Sequence, residues 1–252
     1  MQIKLIVTDL DGTLLTTDKK ITDYTKAVLQ QCRQAGIKVV YATGRGTSAE
    51  RRVPENIVDA QIMINGAIAK IGEKLIYHRL ISYETARPFL VACDKRGLKM
   101  TSELSGMHYT NFTIPDEWES IVPHYEIVDF TAHSKDAEKL YTFALTPEDV
   151  IFINGLLPSD LYMVMAVDGL AMIMHKDATK AKAIAALADM WGIKPEEIVA
   201  FGDDLNDIDM LGYAGVGVVM DNALEQVKTV ADYICDTNDN DGLAKWLEEN
   251  VL

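Results

Sequence analysis

The sequence predicts an α/β chain: a doubly wound, Rossmann-like parallel-sheet core carrying an inserted α+β cap domain. Three observations carry this. Short apolar, β-branched runs alternate with helical segments in the first and last thirds of the chain. Between about residues 82 and 176 that alternation gives way to antiparallel-type strands mixed with helices. Polar loops follow three of the strands, after Thr8, Tyr41 and Phe201, where an open parallel sheet gathers its ligands. The predicted division is a core of residues 1–81 and 177–252 and a cap of residues 82–176.

Ile3–Thr8 is short, apolar and β-branched, which reads as a buried strand. Thr22 caps a helix running to about Gln34, Gly36 closes it, and Ile37–Tyr41 is the second strand. The loop Ala42-Thr43-Gly44-Arg45-Gly46 follows, then a short helix from Thr47 or Ser48. Gln61–Ile64 is a third strand, ended by the turn dipeptide Asn65-Gly66. Such alternation implies parallel pairing through right-handed crossovers. Ala67–Ile71 and Lys74–Tyr77 then form a hairpin around Gly72. In the insertion, Tyr83–Arg96 and Pro147–Leu156 read as helices. Lys99–Glu103, Met107–Thr110, Tyr141–Leu145 and Leu161–Met174 read as strands, the last broken at Asp168-Gly169. Alternation resumes with an alanine-rich helix over Thr179–Trp191 and a strand over Ile198–Phe201. Gly215–Met220, Leu224–Val230, Tyr233–Cys235 and Leu243–Glu249 complete strand, helix, strand and helix.

At 252 residues, 48% hydrophobic and 25% charged, the chain can bury a sizeable core. Its net charge of −14 argues against a nucleic-acid partner, which needs a Lys/Arg surface. A small phosphorylated substrate stays compatible, because a bound cation inverts the field locally. Cys32, Cys93 and Cys235 are odd in number and far apart, as free thiols in a reducing compartment are. The apolar N-terminal run is interrupted by Lys4 and closes on Asp9, unlike a signal peptide. No apolar stretch is long enough to span a bilayer. The expectation is a cytoplasmic protein without a membrane partner.

Asp9 and Asp11 stand two residues apart just before Gly12. A regular strand would send both side chains to one side, and two adjacent carboxylates call for a cation or a shared proton. With Asp203 they offer hard oxygen ligands of the kind Mg²⁺ prefers. No His/Cys set has zinc spacing. A carboxylate beside Mg²⁺ can also attack phosphorus, giving an aspartyl-phosphate. A second carboxyl must then protonate the leaving alkoxide and later deprotonate water. Lys180, Thr43 and the backbone of Gly44 are candidates for holding the transferring phosphoryl group. Singly, each has a plain alternative: a turn for the aspartates, a cap for Thr43, a solvated helix face for Lys180. Asp204 and Asp209 read as helix-start charges. Asp236–Asp241 reads as a solvated turn whose spacing fails the calcium-loop pattern. Met107, His108, Tyr109 and His175 are candidate substrate contacts in the insertion. Met163, Met165, Met172 and Met174 alternate as core-facing strand residues do.

Asp9-Leu10-Asp11-Gly12-Thr13 resembles the first motif of the haloacid dehalogenase-like phosphatases. Thr43-Gly44-Arg45 resembles the second, Lys180 the third, and Gly202-Asp203-Asp204-Leu205-Asn206-Asp207 the fourth. Their order and spacing are similar to the Cof-type subfamily, which carries a large α/β cap between motifs two and three. Asn65-Gly66-Ala67, Met220-Asp221-Asn222-Ala223 and Asp241-Gly242 resemble that subfamily too. The resemblance implies that Asp9 is nucleophile and Mg²⁺ ligand, and that Asp11 is acid/base and ligates through its main-chain carbonyl. Asp203 would be the third protein ligand. Leu10, Thr43, Gly44, Arg45, Lys180 and Asn206 would hold the phosphoryl group, with Thr13 and Asp207 in support. Gly12 would permit the sharp exit from the strand. An aspartate at position 11 favours phosphate chemistry, since dehalogenating relatives need no proton donor there. One departure is Ala181, where the family has glycine after the lysine. Lys176 and Lys182 are rivals to Lys180, Lys176 foremost, because helical spacing would put it on the same face. The implied protein is a Mg²⁺-dependent phosphatase of small phosphorylated metabolites, sugar phosphates foremost, with a cap that closes and sets specificity. A sugar-phosphate mutase is a second reading. A phosphoacceptor signalling module resembling a response-regulator receiver is a third, although a receiver is shorter and lacks the insertion.

Overall fold

A computed structural model describes residues 2–118, 122–165 and 169–252. The chain forms two compact units, Met1–His78 with Thr179–Leu252, and Arg79–Ala178. The discontinuous unit is built on strands β1 (Leu5–Thr8), β2 (Lys38–Ala42), β3 (Ala60–Met63), β4 (Ile68–Ile71) and β5 (Lys74–His78), with helix α1 (Asp23–Gln34) between β1 and β2. The inserted unit comprises α2 (Tyr83–Lys95), β6 (Met100–Leu104), β7 (Met107–Thr110), β8 (Tyr125–Ile127), β9 (Lys139–Phe143), α3 (Pro147–Leu156), β10 (Leu161–Met165) and β11 (Leu170–His175). The chain then returns through α4 (Lys180–Trp191), β12 (Ile198–Gly202), α5 (Ile208–Tyr213), β13 (Val216–Met220), α6 (Glu225–Lys228), β14 (Tyr233–Cys235) and α7 (Gly242–Asn250).

The first unit holds an eight-stranded sheet in the order β14-β13-β12-β1-β2-β3-β4-β5. Pairing is parallel from β14 to β3, and β4 and β5 extend it antiparallel as the predicted hairpin. Strand β1 is fully buried, as a strand covered on both faces must be. Leu5, Val7, Val40, Ala42, Ile62, Ile198 and Ala200 pack against Ile184 and Leu187 of α4 and Met210 and Leu211 of α5. On the other side, α1 and α7 lie together, and Trp246 meets Phe201 edge-on. The chain moves from β1 to β2 and β3 on one side and later fills β12 to β14 on the other. The β1/β12 boundary is therefore the switch point where such sheets bind ligands.

The inserted unit has a six-stranded sheet in the order β10-β11-β9-β6-β7-β8. Its pairs are antiparallel except β7 with β8, which is parallel. Phe89 and Leu90 of α2 and Ile153 of α3 pack on Met100, Leu140, Ala171 and Ile173, so both helices cover one face. Strand β8 is short and exposed, and its sequence carries no strand signal strong enough to predict it. Of the alternating methionines, Met174 is buried but Met165 is exposed, at the far end of its strand. The predicted strand break falls between β10 and β11. Gly169 there has φ +85°, and Asp168 lies outside the described residues. Among the described residues no helix is long and apolar enough to cross a membrane.

Candidate active site

Register makes the site. Thr8 on β1 pairs with Phe201 on β12 and with Tyr41 on β2, so the loops leaving these strands emerge side by side. The Asp9 N–H continues the ladder to the Phe201 carbonyl at 2.9 Å. Gly12 then turns at φ +82°, and a Cβ there would lie 2.3 Å from an Asp203 carboxylate oxygen. Glycine is therefore required twice over, by the left-handed backbone and by the close approach.

Lys180 is the first residue of α4, set by Thr179, whose side chain caps the helix. The cap itself is held by the Ile64–Gly66 turn: Gly66 has φ +99°, and a Cβ there would meet the Thr179 carbonyl at 2.1 Å. Lys180 is 1% exposed. Its Nζ donates to Asp9 Oδ1 and to Asp207 Oδ1, each at 2.6 Å. The rival lysines lie elsewhere. Lys176 precedes the cap and does not lie on that helix, so helical spacing does not apply to it; its N–H donates to the Asp160 carbonyl, and its side chain is exposed. Lys182 lies on α4 but is exposed. Ala181 is accommodated half-buried, with its N–H on Asp209 at 3.2 Å.

Asp9, Asp203 and Asp207 each present an oxygen within 4.8 Å of the others. Three carboxylates thus crowd around one ammonium, which bonds two of them. Burial pushes Asp9 well above the usual carboxylate range, Asp207 and Asp203 add to the rise, and Lys180 opposes it. Burial also pushes Asp203 up to about 6, against the hydrogen bond from Thr13 and with Asp207 and Asp204 adding. Burial works against the Lys180 charge, but Asp207 and Asp9 overcome it and hold its pKa above the ordinary lysine value. Such an excess of buried negative charge, built of hard oxygens, can hold a divalent cation. Asp207 is the least available of the three. Its Oδ2 accepts the N–H groups of Asp203 and Asp204 at 2.9 and 3.1 Å, while Oδ1 takes Lys180. Asp9 bonds Lys180 and Asp203 bonds Thr13 (2.6 Å) through Oδ1, so each keeps Oδ2 for another partner.

Asp11 faces a different environment. Arg45 Nε and a terminal guanidinium nitrogen donate to its two oxygens at 2.5 and 2.7 Å, and Lys19 Nζ reaches Oδ1 at 2.8 Å. Partial burial alone would raise its pKa, but hydrogen bonds from Arg45 and Lys19 overcome this and hold it at about 2. Arg45, expected from its motif beside the phosphoryl group, is engaged with Asp11. The Leu10 side chain is 0% exposed in the core, which leaves its backbone to face a ligand. Thr43 is buried, its hydroxyl accepting the Arg45 N–H at 3.2 Å. Asn206 donates to Asn65 Oδ1 at 2.9 Å, and Asn65 also closes on Gly44. The site therefore includes two residues that the sequence reading did not place there. Asn65 had a signal, its Asn-Gly turn; Lys19 had none.

Other motif residues buttress the loop. Asn222 donates to the Gly12 carbonyl and accepts the Asn238 N–H, while the Asn238 side chain donates to the Leu15 carbonyl. Asp239 accepts from the backbone and hydroxyl of Thr17, and Asp241 from the Thr22 and Thr25 hydroxyls. The turn expected to be merely solvated is a brace. His108 of the inserted unit is buried, with Nδ1 2.9 Å from the Tyr141 hydroxyl. Tyr109 is buried and accepts from Lys135, Met107 is half-buried, and the His175 ring accepts the Asp177 N–H.

Known proteins resemble this chain through both of its units. A family model described as haloacid dehalogenase-like hydrolase matches residues 6–247. The chain is 31% identical over 257 residues to the 5-amino-6-(5-phospho-D-ribitylamino)uracil phosphatase YcsE of Bacillus subtilis, covering 100% of this chain and 97% of that protein. Its fold is similar to that of BT1666 from Bacteroides thetaiotaomicron, studied among phosphatases of the same superfamily, with TM-score 0.85, 31% identity and coverage of 98% and 95%. It is also similar to the HAD subclass IIB sugar phosphatase BT4131, with TM-score 0.81, 28% identity and coverage of 98% of both chains. A match that runs through core and insertion alike, to proteins named phosphatases, makes this chain a member of the haloacid dehalogenase-like hydrolases, a phosphoric monoester hydrolase of the Cof type.

Proposed function

We propose that the chain hydrolyses small phosphorylated metabolites in a Mg²⁺-dependent reaction that passes through an aspartyl-phosphate on Asp9. The observation that carries this is the sharing of one buried ammonium, Lys180, by Asp9 and Asp207, with Asp203 alongside. Asp9, Asp203 and the Asp11 carbonyl would hold the ion, which supplies charge neutralisation at the phosphoryl oxygens. An Asp9 carboxylate oxygen attacks phosphorus as the ester P–O bond breaks. The leaving oxygen takes a proton from Asp11, which must first be loaded onto that carboxylate against the pull of Arg45 and Lys19. Water then attacks the phosphoryl group, Asp11 accepts its proton, and inorganic phosphate leaves as the Asp9 carboxylate re-forms. Lys180, Thr43, Asn206 and the backbone of Leu10 and Gly44 face the phosphoryl oxygens.

The substrate class follows from chemistry shared by two of the relatives. One is named for a phosphorylated ribityl compound, the other as a sugar phosphatase, which supports a sugar or sugar-alcohol phosphate here. In this reading the core of residues 1–81 and 177–252 does the chemistry, and the insertion of residues 82–176 selects the substrate. Buried free cysteines fit a cytoplasmic protein. The test is a panel of phosphorylated metabolites, with phosphate release read in Mg²⁺ and in EDTA. Sugar phosphates should release phosphate only with Mg²⁺, without any sugar bisphosphate. Equal rates in EDTA would sink the metal-dependent mechanism, and dependence on a bisphosphate would point to a mutase.

A further inference from the structure

We infer that Arg45 and Lys19 are positioning residues for the Asp11 carboxylate, and that Arg45 serves that carboxylate and not the phosphoryl group. The inference rests on the reading above that Asp11 moves the leaving-group proton.

Arg45 meets Asp11 in the two-point geometry that fixes both the place and the plane of a carboxylate, at 2.5 and 2.7 Å. A lysine would fix only one point. The arginine projects from a braced loop: its N–H donates to Thr43 Oγ1, and its carbonyl accepts the Ile64 N–H at 2.9 Å. That brace is strained. Ile64 and Asn65 both have φ 51°, and for a buried β-branched residue this is a true outlier. Lys19 arrives from a second strained turn. Its own φ is 60°, and the turn is closed by its N–H on the Thr16 carbonyl at 2.8 Å and by the Thr16 N–H on the Lys20 carbonyl at 2.9 Å. One cation thus comes from a loop braced by left-handed Ile64 and Asn65, the other from a left-handed position itself, and both meet the same carboxylate. Without them the Asp11 side chain could swing freely beside an already overcrowded acidic cluster. With them its oxygens have fixed positions, and Lys180 is left as the cation for the phosphoryl group.

The consequence is a separation of effects by leaving group. An alkyl phosphate needs its departing alkoxide protonated, whereas p-nitrophenyl phosphate loses a stable phenolate without a proton. Because kcat/KM reports steps up to leaving-group departure, it isolates the donated proton. We expect Arg45→Met to lower kcat/KM for a sugar phosphate about 100-fold. The value for p-nitrophenyl phosphate and the inhibition constant of inorganic phosphate should stay within about threefold. Arg45→Lys should recover part of the loss, and Lys19→Met should show the same selectivity at smaller size. If Arg45→Met weakens phosphate inhibition in step with its loss of turnover, Arg45 is a phosphate ligand and the inference is overturned. Equal losses on both esters overturn it as well. Asp11→Asn separates the two levels. If Asp11→Asn shows no difference between the esters, the reading of Asp11 fails; if it does and the Arg45 and Lys19 variants do not, only the clamp fails. Should Arg45→Met not fold, Arg45→Lys and Lys19→Met decide the matter by the same ratio.

Discussion

Asp9 is 6% exposed and shares one buried ammonium with Asp207, whereas Asp11, two residues on, sits half-buried between Arg45 and Lys19. The two carboxylates are moved in opposite directions, the first up by burial and the second down by its cations. The contrast shows how one short loop divides two tasks. The buried end accumulates negative charge that a proton or a further cation must balance. The open end holds a carboxylate whose charge is already satisfied, and whose value lies in where its oxygens point.

The sharpest way to break the comparison is to neutralise Asp9. Asp9→Asn should cut turnover by at least ~1,000-fold, while far-ultraviolet circular dichroism stays that of the wild type. Near-normal phosphate release would end the nucleophile assignment. Next comes Lys180→Met, which leaves Asp9 and Asp207 buried without their ammonium. Urea unfolding in EDTA should show a loss of about 3–5 kcal/mol; a loss below about 1 kcal/mol would mean that water reaches the buried end.

A third test uses pH and metal together. In metal-free protein Asp203 is raised to about 6 and Asp9 is also raised. Their stabilising contribution is therefore fully present below the unfolded carboxylate value of about 3.9 and is lost as pH rises through the folded values. Mg²⁺ should replace the lost protons, so the rise in Tm on adding it should be larger at pH 8 than at pH 5. An equal rise at both would separate metal binding from these carboxylates. Asp11 runs the other way, its contribution present above the unfolded value and lost as pH falls through about 2. The smallest effect is expected at the exposed Lys19–Asp11 pair. Lys19→Met should cost at most about 1 kcal/mol of stability, and less in high salt.

Much of this could be read in advance from residue order. Helix α1 begins after Thr22 and α3 spans Pro147–Leu156 because caps and N-terminal proline are local signals. The three site loops converge because β1, β2 and β12 are neighbours, which alternation and switch-point logic predict. Helix α5 is not legible because six residues hold too little periodicity, although Asp204 and Asp209 read as helix-start charges. Helical spacing does not carry Lys176 to the face of Lys180, because Lys176 precedes the Thr179 cap and so lies off the helix. The partner of Arg45 could not be read at all. A Thr-Gly-Arg run looks the same whether the guanidinium meets a phosphate or a carboxylate, and no residue type announces the left-handed turn that brings Lys19 to the same carboxylate.

The brace formed by Asn222, Asn238, Asp239 and Asp241 has a consequence for the order in which the molecule is made. The loop bearing Asp9 and Asp11 leaves the ribosome ahead of β12 and the brace, which follow about 190 to 230 residues later. A nascent chain therefore displays its reactive carboxylates long before it can hold them in place. Pairing across such sequence distance is slow to form, so competence for phosphate chemistry should be a late event in biogenesis, arriving with the segment around Asn238.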